Sequence, residues 1–233
     1  MPEAPEKHTV WDIFCGPSLL TADRNWLAEV VSDRIDIVWH SPACRGDLTT
    51  AREAKDSTNS FLIIDGEFGQ SLSISVSEIR DALEAGATVV GASSMGALRA
   101  VECRTIGMRG IGWVYQQYLA GVTEADSDVA LIYHDETQVP LTIPQINVRW
   151  LLHLMRREIE DTDLLQALYT ASNEMYYADR TPRALMREWR NIAPAREYEL
   201  LLSRFKSLEL RKIWDRKRLD AIQSILMLGG CYS

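Results

Sequence analysis

Two hundred and thirty-three residues, 46% hydrophobic and 25% charged, have the composition of one generous globular domain or one domain with an appendage, and exclude a disordered or fibrous chain. The formal net charge of −8 is uneven: residues 1–150 carry 11 Lys and Arg against 21 Asp and Glu, and residues 151–233 carry 14 against 12. Such a chain is a poor generic nucleic-acid binder, because phosphate attraction supplies most of that affinity. No run approaches the ~18 apolar residues of a membrane helix, and the acidic start through Glu3 and Glu6 is unlike a signal peptide. A cytoplasmic protein with no membrane partner is expected.

Thr9 to Phe14 reads as a strand stopped by Gly16-Pro17-Ser18, and Asp23 to Val31 as a short helix. Ile35 to Trp39 is a second strand, closed by Ser41-Pro42. Phe61 to Ile64 is a third, apolar throughout as a strand buried on both faces should be. Ser75 and Glu78 form a capping box ahead of the apolar helical face Val76, Ile79, Ala82 and Leu83, which Gly86 ends. Thr88 to Val90 is a fourth strand, Ser94 to Arg104 a helix, and Val129 to Tyr133 a fifth strand. Repeated strand–helix–strand units predict an α/β fold with an open, mostly parallel sheet covered by helices on both faces. From about Pro144 only helical spacing appears, so an α/β core over residues 8–145 and a helical C-terminal region over 146–233 are expected. The basic stretch Arg204 to Arg218 holds seven cations interrupted by Glu209 and Asp215, and reads as a solvated helix face.

Ligands of open parallel sheets bind outside the carboxyl ends of the strands. Those ends carry Cys15 to Leu19, Pro42 to Asp47, Asp65 to Gln70, Gly91 to Arg99, and His134-Asp135. Within the fourth segment, a nucleophile elbow needs small residues two before and two after the nucleophile. Ala92-Ser93-Ser94-Met95-Gly96 satisfies this around Ser94, whereas a frame centred on Ser93 puts Met95 at a crowded position. Ser94 is therefore the candidate nucleophile, with the Met95 N–H facing an oxyanion. From spacing alone the same residues also suit a helix cap or an anion site at a helix N-terminus.

His134 is the histidine expected on this edge and the candidate base, unlike His8, His40 and His153. Asp65 leads as the orienting acid, with Glu67, Glu102 and Asp135 as competitors. Arg45 either clamps a substrate carboxylate or pairs with Asp47. The four cysteines, Cys15, Cys44, Cys103 and Cys231, show neither paired spacing nor clustering with histidine, which predicts free, mostly buried thiols. No metal and no nucleotide cofactor is expected, since no Walker or G-x-G-x-x-G pattern is present.

The same segments resemble the TfuA-like family. The resemblance rests on Gly16-Pro17-Ser18-Leu19, on Pro42-Ala43-Cys44-Arg45-Gly46-Asp47, and on Ile64-Asp65-Gly66-Glu67-Phe68 with Gln70-Ser71. It continues through the long run Gly91 to Glu102, Gly107 to Tyr115 and Asp128 to Leu131, covering roughly residues 12–150. It implies partnership with a YcaO-type enzyme, which uses ATP to activate a peptide amide for thioamide formation. It further implies a sulfur-supply role, in which sulfide is released from the C-terminal thiocarboxylate of a small ThiS-like carrier protein. The family pattern does not demand cysteine at Cys15, Cys44 or Cys103, which argues against a persulfide carrier. In that chemistry Ser94 attacks the terminal carbonyl and His134 takes its proton. Met95 N–H with an N–H of Gly16 or Ser18 holds the oxyanion, and Arg45 or Arg99 offsets the sulfur charge. The competing expectation is a non-catalytic adaptor that engages YcaO or the carrier.

Overall fold

The computed structural model describes residues 9–54, 60–69 and 72–231; His8, Gln70 and Ser71 lie outside them. Among the described residues five strands, β1 (Thr9–Phe14), β2 (Ile35–His40), β3 (Ser60–Ile63), β4 (Thr88–Ala92) and β5 (Arg109–Ile111), form one parallel sheet in the order β2-β1-β3-β4-β5. Helices are α1 (Thr21–Val31), α2 (Asp47–Glu53), α3 (Val76–Glu84), α4 (Met95–Glu102), α5 (Trp113–Leu119), α6 (Gln145–Met155), α7 (Thr162–Glu174), α8 (Pro182–Arg190), α9 (Ala195–Ser203), α10 (Leu208–Trp214) and α11 (Arg216–Leu228). The protein is thus α/β with a helical C-terminal part. Among the described residues no helix is long and apolar enough to cross a membrane.

The expected strand at Val129 to Tyr133 is a correction. Asp126–Asp128 is a 3₁₀ turn, and the segment after it makes only an isolated antiparallel bridge, Tyr133 to Pro140. Its backbone is satisfied locally instead: Ile132 N–H donates to Thr142 Oγ1, and Ile132 C=O accepts from Leu141 and Thr142. The true fifth strand, β5, hides behind Gly107, Gly110 and Gly112, which read as turn residues. Gly110 is needed because a Cβ there would drive into the Tyr115 ring.

Two compact units are present, Met1–Leu119 with Asp220–Ser233, and Ala120–Leu219. In the first, one sheet face buries Trp11, Ile13, Leu62, Ile64, Val90 and Ala92 against Leu27 and Val31 of α1 and Ala221, Ile225 and Leu226 of α11. Each such fully buried aliphatic side chain contributes about 1.5–3 kcal/mol. α4 lies on the opposite face, where a Cβ on Gly91 would strike the Gly96 backbone and a Cβ on Gly96 would strike Ile63 C=O. Strand β4 and α4 therefore approach as closely as backbones allow.

Local chemistry sets the helix ends. α3 starts on Ser75, whose Oγ accepts Glu78 N–H at 3.2 Å. It stops on Gly86 at φ +84°, with Gly86 N–H donating to Leu83 C=O and Ala87 N–H to Ala82 C=O. The Glu78 carboxylate serves a different helix: it accepts N–H groups of Gly46 at 3.0 Å and Leu48 at 2.9 Å, capping α2.

The second unit packs α6 to α10 around Trp189, whose Nε1–H donates to Leu168 C=O at 3.0 Å. Buried Arg180 staples three backbone carbonyls, those of Ile143, Ser172 and Met175. The basic stretch is not uniformly solvated: Lys217 is buried with Nζ on Val129 C=O at 3.0 Å, and burial lowers the pKa of Arg211. Both cations belong to the packing rather than to a solvent-facing stripe.

Candidate functional site at the carboxyl edge of the sheet

In the order β2-β1-β3-β4-β5, chain connections leave β1 and β3 in opposite directions, so their carboxyl ends define the topological switch point where open sheets bind ligands. The loop after β1 and the residues after β3 meet there. Asp65 is buried, and its Oδ2 accepts Gly16 N–H at 2.9 Å and Ser18 N–H at 3.0 Å, while Oδ1 accepts the Ser18 hydroxyl at 2.7 Å. From the other side Arg24 of α1 donates to Cys15, Gly16 and Leu19 carbonyls. The loop is fixed by a carboxylate and a guanidinium at once.

Ser93 follows β4 with φ +68°, a left-handed conformation that a serine adopts at a cost of about 1–3 kcal/mol. Ser94 N–H donates to Ala92 C=O at 2.8 Å, so Ser93 is the central residue of a γ-turn of the rare positive-φ kind. Ser94 has φ −117° and heads α4 without a side-chain capping bond. The positive-φ residue of this turn is thus Ser93, one position before Ser94, on which the sequence spacing centres the elbow. Met95 packs beside Gly66, and the close helix–strand contact falls one residue later, at Gly96.

Ser93 also reaches the β1 loop: its hydroxyl lies 3.2 Å from Ser18 Oγ. Ser18 carries one hydroxyl proton, and that proton goes to Asp65, so Ser93 donates in this contact. The result is a directed chain, Ser93 to Ser18 to Asp65, closed off from water at every member.

The other expected residues are placed as follows. Gly16 and Ser18 N–H groups, expected at an oxyanion, donate to Asp65 in this structure. Met95 holds the first position of α4, where an N–H has no intrahelical acceptor. Arg99 turns toward its own surroundings, with Nε on Ile74 C=O at 3.0 Å, Nη2 on Ser73 Oγ at 3.2 Å, and an ion pair to Glu102.

Arg45 is exposed on a loop that pairs with the segment after β3: Ala43 N–H donates to Asp65 C=O, Glu67 N–H to Ala43 C=O, and Arg45 N–H to Leu72 C=O. Asp47 accepts Cys44 N–H at 2.7 Å. His134 and Asp135 belong to the second unit and are exposed. His134 exchanges backbone bonds with Val139 and Gln138 and ends no strand, so the strand-end argument for it is corrected.

All four cysteines are free thiols; Cys15 and Cys103 are buried and Cys231 is exposed. Burial, reinforced by the Asp65 charge, pushes the Cys15 thiol well above its ordinary range. Burial also raises Cys44, and with the Glu102 charge it lifts Cys103 to about 11. None of these three is disposed to be a thiolate.

A carboxylate–imidazole pair lies elsewhere on the sheet. Asp12 is buried in β1 and its Oδ1 lies 2.8 Å from His40 Nε2 at the end of β2, with the His40 ring stacked on Phe14. The signal was present, since Asp12 interrupts the apolar run Val10-Trp11-Ile13-Phe14. β2 and β4 are three strand spacings apart, about 14 Å, so His40 is out of reach of the β4 serines.

A family model described as TfuA-like protein matches residues 65–181, half of the chain. The chain belongs to the TfuA-like family, and that membership supports involvement in a thioamidation pathway. The match begins at Asp65, takes in the serine turn, and runs through α6 and α7, beyond the end of the resemblance near residue 150. No curated protein matches the chain.

Proposed function

We propose that this protein is a sulfur-delivery hydrolase that releases sulfide from the thiocarboxylated C-terminus of a ThiS-like carrier, for thioamide formation by a YcaO-type partner. The observation that carries the reading is the strained serine turn after β4, linked through the Ser18 hydroxyl to the buried carboxylate that pins the switch-point loop. Strain of this kind persists where the surroundings over-determine it, and functional sites are where it concentrates. A flexible carrier tail ending in glycine is the shape of substrate that reaches a buried hydroxyl. A thiocarboxylate is anionic and resists attack, so a cation must offset its charge. Arg45, exposed on the loop that pairs with the segment after β3, is the guanidinium assigned to that task.

The test is hydrosulfide production from thiocarboxylated carrier by the purified protein alone. One observation favours a second reading, an adaptor that grips the carrier without cleaving it: Ser93 and Ser94 are 0% and 1% exposed. An adaptor binds thiocarboxylated and carboxylated carrier and returns both unchanged.

A further inference from the structure

We propose that β2 is an interface, and that it pairs antiparallel with β2 of a second copy of this chain about a two-fold axis through Val38. The proposal is independent of the hydrolase reading, and its test does not use release of sulfide. Among the described residues the sheet order ends at β2 on one side and at β5 on the other. The two edges are protected differently. β5 has three residues, opens on Arg109 and is centred on Gly110, a short and weakened edge of the kind that discourages pairing. β2 has six residues, Ile35 to His40, with no lysine, proline or glycine, and all but Asp36 and His40 are β-branched or aromatic. Asp36 and Val38 are exposed on it.

The backbone fixes what this edge offers. His40 C=O accepts Cys15 N–H at 3.2 Å, so the peptide groups of His40 face β1. Those groups alternate sides along a strand, so Asp36 and Val38 also address β1, while Ile37 and Trp39 turn their N–H and C=O to the open edge. A two-fold axis normal to the sheet keeps every side chain on its own face, so one residue must stand opposite its own copy. With Asp36 on the axis, two carboxylates meet. With Ile37 there, Arg34 stands opposite His40; with Trp39 there, Asp36 falls opposite Pro42, beyond the strand. Registers centred on Ile35 or His40 overlap only the strand tips.

Val38 on the axis gives complementary pairs. Ile37 stands opposite Trp39 of the second copy and exchanges both backbone bonds with it. Asp36 stands opposite His40 of the second copy, an opposite-charge pair when the imidazole is protonated. His40 Nε2 is engaged by Asp12 at 2.8 Å, and among the described residues Nδ1 has no hydrogen bond, which leaves it for this contact. Antiparallel pairing also sends the carboxyl ends of the two sheets in opposite directions, so the two switch-point edges face apart.

The experiment measures self-association of the full chain by sedimentation velocity, together with cross-linking that reports the register. The parent should sediment as a dimer at micromolar concentration. Val38→Lys sets two ammonium groups against each other on the axis and should sediment as a monomer, with the far-ultraviolet circular dichroism of the parent. Asp36→Lys should weaken the dimer roughly tenfold. In a Cys231→Ser background, Val38→Cys should form an intermolecular disulfide on mild oxidation, because opposed residues at a non-hydrogen-bonded position have Cα atoms about 4.5 Å apart. Asp36→Cys should not, since its copy lies about 13 Å away along the strand. A monomeric parent, a dimer that survives Val38→Lys or is as tight in Asp36→Lys, or cross-linking of Asp36→Cys as fast as that of Val38→Cys would overturn the inference.

Discussion

Ser18 and Asp65 are joined by a 2.7 Å hydrogen bond across 47 positions of sequence, and the same carboxylate takes the backbone N–H groups of Gly16 and Ser18. One side chain after β3 therefore builds the loop after β1. Hydrogen bonds to a buried charge contribute about 1.5–3 kcal/mol each. Asp65→Asn forfeits the charge and aims an amide N–H₂ at existing donors, so chemical denaturation should show a loss of about 3 kcal/mol. A loss below about 1 kcal/mol would mean that the loop is held by Arg24 alone.

Glu78 links two helices in a comparable way, with its carboxylate on Gly46 and Leu48 N–H groups at the start of α2. Glu78→Ala should cost about 2 kcal/mol, at the upper end for a lost cap. Amide exchange should rise at Leu48 and Thr49, while α3, which Ser75 caps, stays protected. Unchanged exchange at Leu48 would contradict this.

Cysteine titration gives a pH dependence whose sign is fixed. The folded Cys103 pKa is about 11 against an ordinary 9.0, and Cys15 is raised in the same direction by burial. The folded state thus keeps protons that the unfolded state has lost. Their contribution to stability is whole below pH 9 and falls as pH rises toward 11. Cys103→Ala should flatten that fall in denaturation measured from pH 8 to 11. At pH 8, exposed Cys231 should alkylate first and buried Cys15 last; rapid labelling of Cys15 would overturn its place in the core.

Arg45 is tested by the charge of the substrate. If its cation offsets a thiocarboxylate, Arg45→Ala should slow release from that anion by roughly 10- to 100-fold, the equivalent of one charge-assisted contact. A neutral thioester should be spared. Arg45→Lys should fall between, keeping the charge but losing the fork. Equal losses on both substrates, with a lowered melting temperature, would make Arg45 a brace of its loop.

Much of the sheet was legible because the strands from β1 to β4 are mostly apolar and are followed within three residues by glycine, proline or serine. The α3 termini were legible for the same local reason, Ser75 and Gly86. Two features were not. Arg109–Ile111 is strand only because β4 offers it a ladder edge, and its glycines, one of them required by the Tyr115 ring, mask it. Val129 to Tyr133 has strand composition, but Thr142 takes its backbone bonds. At the site, the glycine, serine and carboxylate segments were visible at the strand ends. Ser93 against Ser94 was not, because spacing records which residues are small and not which one carries the positive φ. Arg24 gave no signal at all, since its three acceptors are backbone carbonyls.

The central claim is sulfide release, and a single time course tests it most directly. The purified protein is mixed with thiocarboxylated carrier, without YcaO or ATP, and sulfide is measured alongside the carrier mass. The account predicts many equivalents of sulfide per protein, matched one for one by carrier whose terminal sulfur has been replaced by oxygen. Carrier that binds but keeps its sulfur through the whole course would contradict it.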